Sequence, residues 1–462
     1  MVSDETYAAL QAAHTHLQTE HAALQRQVAT LSEELATALQ RIRELEAKKT
    51  PPPSFVKANA PTTTKRERKR RAPEYNQARR REEPSVVVMQ ALLTCPDCGG
   101  RLGGRHVGRT RQVIDLPPPA AVVVTEHRLE KGWCSACGKW REAPLDLRGQ
   151  TLGQGRLGVG VAALVAHLRL SLRLPFRRIQ RYLADLHGLR ISVGELVDLL
   201  RRVAEQGASA VERIRDAARS RAVVHADETG WRENGRNGYA WLLATPEGER
   251  YVERHPSRAG AVANGLLGED FRGVLVSDFY AGYNDTPGGR HQRCWVHLLR
   301  DVRALLEAHA DDLSVAGLET RVWGEALTTL WRQVRRTLSH PPATSAQRQR
   351  LAQRFRRDLE ALGAQFLNVP GHPCRALAWR LWHFQHELLT CVAQSGVPPD
   401  NNLAERAIRP LVVMRKISGG TRTPQGSTTH MRLYSLAATW TAQGHNPLLQ
   451  FRALLATPFP QV

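Results

Sequence analysis

Val223-Val224-His225-Ala226-Asp227 and Val274-Leu275-Val276-Ser277-Asp278 decide how this chain is read. Each is a short apolar run that closes on an aspartate, and such β-branched runs read as buried strands. In an open α/β sheet, ligands gather at the carboxyl ends of strands. Two neighbouring strands ending in aspartate would therefore bring two carboxylates to one site. Like charges that close are costly unless a cation neutralises them, and Mg²⁺ or Mn²⁺ suits oxygen ligands. Two such ions about 3.5–4 Å apart can activate a nucleophile and stabilise the leaving oxygen of a phosphodiester. A third acid, Glu405, stands in the helical stretch Asp400-Asn401-Asn402-Leu403-Ala404-Glu405-Arg406-Ala407-Ile408-Arg409-Pro410.

Around these runs the pattern is that of a multidomain α/β chain. Residues 222–226, 239–245, 250–254 and 273–277 read as strands, with a helix over 256–268 between the third and fourth. A helical stretch over 296–394 carries Trp323, Trp331, Trp379 and Trp382, and residues from 401 on are helical again. On the amino-terminal side, residues 151–220 show apolar positions at three- and four-residue steps, including Leu164, Leu168, Ile179, Leu183, Leu196 and Leu200. Phe176–His187 reads as one helix and 188–191 as a turn. Ser192 reads as the N-cap of the next helix, with Glu195 completing a capping box. Helix, glycine-bearing turn and capped helix resemble a helix-turn-helix.

Residues 85–150 contain Cys95-Pro96-Asp97-Cys98-Gly99-Gly100 and Cys134-Ser135-Ala136-Cys137-Gly138. Two residues between each pair let both sulfurs face one metal, and four thiolates suit tetrahedral Zn²⁺. A redox dithiol needs only one pair. Cys294, Cys374 and Cys391 are singletons and read as small buried apolar residues. Residues 50–84 form a basic, disordered linker containing Lys65, Arg66, Arg68, Lys69, Arg70 and Arg71, side chains suited to phosphate backbones. Before it, residues 1–49 carry Leu10, Leu17, Leu24, Leu31 and Leu45, with Ala38 in the gap. His14, His21, Val28, Leu35 and Ile42 follow four residues later. That seam predicts a coiled coil and a homo-oligomer formed through it.

Lysine and arginine number 65 against 44 acids, a net charge of +21, which favours a polyanionic partner. No apolar run approaches the roughly 20 residues of a spanning helix, so no membrane partner is expected. The amino terminus has no signal-peptide pattern. A bacterial cytoplasmic, nucleoid-associated protein is the expectation, with cysteines reduced or metal-bound.

The four stretches 225–231 (His225-Ala226-Asp227-Glu228-Thr229-Gly230-Trp231), 276–284, 293–300 (Arg293-Cys294-Trp295-Val296-His297-Leu298-Leu299-Arg300) and 401–406 resemble the DDE transposases of insertion-sequence family sixty-six. The resemblance covers nearly the whole chain, with coiled coil, zinc module, helical DNA-binding region and catalytic core in the family's order. It implies a ribonuclease-H-like core in residues 221–300 and 396–462, interrupted by a helical insertion at 301–395. It selects Asp227, Asp278 and Glu405 as the metal-holding catalytic triad over the adjacent Glu228 and Asp400. Arg406, Arg409, Arg415 and Lys416 would neutralise DNA phosphates near it. One departure stands out: after Arg415-Lys416 the family shows an aromatic segment, where this chain has Ile417-Ser418-Gly419-Gly420-Thr421. The implied activity is cleavage and strand transfer at the ends of a mobile element, with accessory transposition proteins as further partners. A regulator that has lost catalysis, or a structure-specific nuclease on the same core, are the alternatives.

Overall fold

The computed structural model describes residues 4–47 and 81–457, except 105, 287 and 289, and within the first helix the side chains of 14–31 and 33–40. The basic run from Lys65 to Arg71 lies outside the described residues. The chain divides into two units, Met1–Asp115 and Leu116–Val462.

In the first unit, helix α1 spans Asp4–Ala47. Leu17, Leu24, Leu31 and Leu35 are each 59–62% exposed, so these seam leucines are left largely open among the described residues. The side chains of Leu10, Ile42 and Leu45 lie outside the described residues. Further on, Gly99 N donates to Cys95 O (2.9 Å) and Cys95 N to Gly100 O (2.8 Å), closing a tight turn on the first cysteine pair.

The second unit opens with a hairpin of β1 (Lys131–Cys134) and β2 (Lys139–Glu142), which holds the second pair at its turn. Helices α2 (Val159–Leu170), α3 (Phe176–His187), α4 (Val193–Gln206) and α5 (Ala208–Ser220) follow. Then come β3 (Val223–Gly230), β4 (Tyr239–Ala244), β5 (Arg250–His255), α6 (Gly260–Leu267), β6 (Val274–Ser277) and β7 (His291–Arg293). The remainder is helical: α7 (Trp295–Ala308), α8 (Val315–Ser339), α9 (Ser345–Leu367), α10 (Arg375–Leu388), α11 (Thr390–Ala393), α12 (Asn402–Ser418), α13 (Pro424–Ala442) and α14 (Pro447–Ala456).

Strands β3 to β7 form one mixed sheet in the order β5-β4-β3-β6-β7. The β3, β4 and β5 strands are antiparallel neighbours, whereas β3, β6 and β7 run parallel. Because strand side chains alternate faces, Val224, Ala226 and Leu275 enter one core and Val223, Val274 and Val276 the other. The first core is completed by α2–α6 and α12–α14, the second by α7–α11. Helices therefore cover both faces, as a sheet with a buried parallel half requires.

Four sequence expectations change. Asp227 does not end its strand: β3 continues to Gly230, because β4 pairs with it through Gly230 after β6 has stopped. The helix expected over 256–268 forms only over Gly260–Leu267. A short strand, β7, went unread because His291-Gln292-Arg293 carries no apolar signal; pairing with β6 makes it. The capping box at Ser192 is half formed. Ser192 Oγ accepts from Glu195 N (3.0 Å), but the Glu195 carboxylate turns to Arg156 (3.0 and 3.1 Å). Helices of the 151–220 stretch also share their hydrophobic core with the sheet and with α12–α14, so residue 220 marks a change of pattern inside one packed body.

Candidate active site

The β3–β6 pairing sets the site. His225 stands opposite Val276, and two residues beyond that pair come Asp227 and Asp278. The register thus carries both aspartates to the same end of neighbouring strands. Glu405 arrives on the first turn of α12. That turn is fixed by Asn401, which is 1% exposed. His225 Nδ1 donates to Asn401 Oδ1 (3.0 Å) and Asn401 Nδ2 donates to Ala226 O (2.8 Å), locking α12 to β3 beside Asp227. Burial pushes the His225 imidazole down to about 4, so it stays neutral in this bond.

Asp227 carries the electrostatics. Burial first, then the Glu228, Asp278 and Glu405 carboxylates, push it up to about 7, against a bond from Glu228 N (2.9 Å). Its neighbour Glu228 is already spoken for. Arg258 Nε (2.9 Å) and Tyr283 Oη (2.5 Å) both donate to it, leaving its side chain 3% exposed. Asp400 accepts from Asn402 N (3.0 Å) at the start of α12. Asp278 Oδ1 accepts from Tyr280 N (2.9 Å). Behind that loop Arg293 is fully buried; it donates to Asp278 O (2.9 Å), Asn284 Oδ1 (2.8 Å) and Glu387 (2.6 Å).

Glu405 has a different surrounding. Its Oε1 is buried without a hydrogen-bond partner and lies 3.6 Å from His297 Nδ1, which is likewise unpartnered. Cys294, His297 and Glu405 offer ligand atoms all within 4.8 Å of one another, whereas Asp227, Asp278 and Glu405 are spread more widely. Cys294 is buried as expected, yet it belongs to this cluster, which the sequence reading passed over. Its three-residue spacing to His297 at a helix start was the available signal. An uncompensated acid cluster and an orphaned carboxylate oxygen fit the donor set of hard divalent cations.

Arg406 and Arg409 are exposed on α12, and Arg406 lines a hollow of about 430 Å³ with Arg173 and Arg250. Lys416 is exposed; Arg415 donates to Thr229 Oγ1 (3.2 Å) and Gly230 O (2.5 Å). In the helix-turn-helix-like segment, Arg177, Arg178 and Arg181 are exposed on α3, with Arg181 paired to Asp185 (3.1 Å). Arg201 and Arg202 of α4 are paired with Asp198, and Arg201 also with Glu205.

Each cysteine pair has the build of a zinc knuckle. The amides of Cys98 and Asp97 hold the Cys95 thiol below its ordinary range, and Cys137 with the Ala136 amide does so for Cys134. Gly99 and Gly138 take positive φ (72° and 60°), the turn each pair needs. Thiolates stabilised in this way fit zinc as a group.

Comparison with known proteins fits this arrangement. Residues 154–429 match the transposase IS66 family, and residues 93–138 match the zinc-finger binding domain of transposase IS66. The chain belongs to the IS66 family of transposases. It is also 27% identical over 390 residues to a Sinorhizobium fredii protein described as uncharacterized protein y4qI, across 76% of this chain and 68% of that one. Among the described residues, no helix is long and apolar enough to cross a membrane.

Proposed function

We propose that this chain binds the ends of a mobile DNA element and catalyses metal-dependent strand cleavage and strand transfer, with Asp227, Asp278 and Glu405 as the metal-holding triad. The observation that carries the reading is Asp227, half-buried on a central strand and pushed up to about 7 with Asp278 and Glu405 among the causes. Divalent ions, Mg²⁺ or Mn²⁺, would supply an activated nucleophile and charge stabilisation at the leaving oxygen. The chain's own part is to orient. Arg293 and the Tyr280 amide hold the Asp278 loop, Asn401 holds the turn bearing Glu405, and Arg258 with Tyr283 occupies Glu228 so that Asp227 faces the site. The strand order, with three antiparallel neighbours and two parallel additions on one side, supports the reading of a ribonuclease-H-like core. The helices over 295–393 would then be the insertion between Asp278 and Glu405.

DNA is held, in this reading, by the exposed cations Arg406, Arg409 and Lys416 on α12 and Arg177, Arg178 and Arg181 on α3, together with the basic run from Lys65 to Arg71. Zinc in the paired cysteines supports the amino-terminal module, and α1 joins copies of the chain. A strand-transfer assay tests the function. Purified protein, Mg²⁺ and a labelled element end should yield product joined to a target plasmid. Nicked DNA without joined product would assign the chain to structure-specific nucleases.

A further inference from the structure

Cys294 caps the start of α7 and His297 lies in its first turn, three residues on and so on the same side of the helix. Glu405 meets them from the first turn of α12. The two helix starts are tied together: Trp295 N donates to Pro399 O (2.9 Å), and Asn401 N donates to Cys294 Sγ (3.2 Å). Into the space between them point two buried atoms with no protein partner, His297 Nδ1 and Glu405 Oε1. Buried polar atoms are almost always satisfied, so two orphans facing each other call for a missing partner. At 3.6 Å they are too far apart to hydrogen-bond each other. With Cys294 Sγ they fall within 4.8 Å. Tetrahedral bonds of about 2.0–2.3 Å place neighbouring ligand atoms roughly 3.3–3.7 Å apart, so a small inward shift would complete an ion's coordination.

The donors name the ion's class. Sulfur and imidazole nitrogen select zinc or a similar thiophilic cation, whereas Mg²⁺ prefers oxygen throughout. We infer that Cys294, His297 and Glu405 form a zinc-class site, separate from the paired cysteines, and that an ion held there withdraws Glu405 from the Asp227–Asp278 pair and shuts off catalysis. This rests on the proposed role of Glu405. Binding would release the Cys294 thiol proton to solvent, and a fourth position would remain for water.

The test uses full-length protein with its cysteine-pair zinc in place. Titration with Co²⁺, followed by visible absorption, should add one ion per chain with a sulfur-to-metal band. Cys294→Ser should remove that band, serine still offering an acceptor to the Asn401 amide. His297→Gln should weaken the added ion by at least about tenfold. Asp278→Ala should keep it. Added Zn²⁺ should inhibit Mg²⁺-dependent cleavage by the wild type, and Cys294→Ser should need at least about tenfold more zinc for equal inhibition. If the wild type takes up no added ion, or if Cys294→Ser and His297→Gln both match it in ion count, affinity and band, the inference is overturned. Cleavage by Asp278→Ala would instead overturn the catalytic reading, while the added ion could still be counted.

Discussion

Asn401 shows how one side chain can decide whether a site exists. It is buried between β3 and α12, and both its amide oxygen and nitrogen are used, by His225 and by Ala226 O. Asn401→Ala leaves those groups without partners, at roughly 1–3 kcal/mol each. A lowered melting temperature together with lost cleavage is expected, since the turn carrying Glu405 loses its anchor. An unchanged melt would contradict the anchoring role. His430 supplies a pH test. It stacks on Trp231 (ring centroids 5.0 Å), and burial, with Arg169 adding, pushes it from 6.5 down to about 3. The unfolded chain takes up a proton near pH 6.5, but the folded one does so only near pH 3. Stability from this residue is thus fully present above 6.5 and falls toward 3, by up to about 1.4 kcal/mol per unit. Denaturant unfolding at pH 7 and pH 5 should show a smaller loss for His430→Phe than for wild type. Equal losses would remove His430 from the account. At this scale the sequence displayed Asp227, Asp278 and Glu405 clearly, each inside a recognisable motif. It could not display Asn401 as a bridge or His297 as a neighbour of Glu405, because those roles come from contacts made across more than 100 residues.

Among the elements, legibility followed apolar signal. β3, β4 and β6 were readable from Val, Leu and Ala runs, β5 from Tyr251-Val252, and α3 within its observed bounds from its apolar spacing and Gly188, which takes φ 65° after the last turn. Strand β7 was silent, and the continuation of β3 beyond Asp227 was hidden because Glu228-Thr229-Gly230 looks like a turn until β4 pairs with it. The segment after α12 gives the sequence departure a physical meaning. Gly419 and Gly420 adopt φ of 72° and 109°, and a Cβ on Gly420 would sit 2.1 Å from Arg232 O. That close approach lets Thr421 N donate to Arg232 O (2.9 Å), pinning the end of α12 beside β3. Gly420→Ala should break this contact and cost about 1–3 kcal/mol, through both strain and collision. Thermal denaturation checks it, and an unshifted transition would show the segment yields freely.

The whole molecule combines a body with helices on both faces of a sheet, paired-cysteine knuckles, and a long helix on which the described leucines, Leu17 to Leu39, are exposed. Purified protein is expected to carry about one zinc per chain through the knuckles, released by Cys98→Ser or Cys134→Ser. Elemental analysis without zinc would remove that module from the account. Deleting residues 1–49 should lower the mass seen in sedimentation, because Leu17, Leu24, Leu31 and Leu35 need cover. An unchanged mass would mean another surface joins the copies. The net charge of +21 announced a polyanionic partner, but charge alone could not separate a transposase from a regulator or a nuclease. The carboxylate cluster makes that distinction testable. The most direct measurement is cleavage of DNA bearing the element's ends by Asp278→Ala in Mg²⁺ or Mn²⁺, run beside a binding assay. Removing one of several mutually repelling carboxylates should leave the fold and DNA affinity intact, since affinity rests on basic side chains elsewhere. Cleavage should be abolished, because the lost oxygen would hold metal where charge develops. Binding retained with cleavage lost is the result predicted; cleavage retained at the wild-type rate would contradict the account.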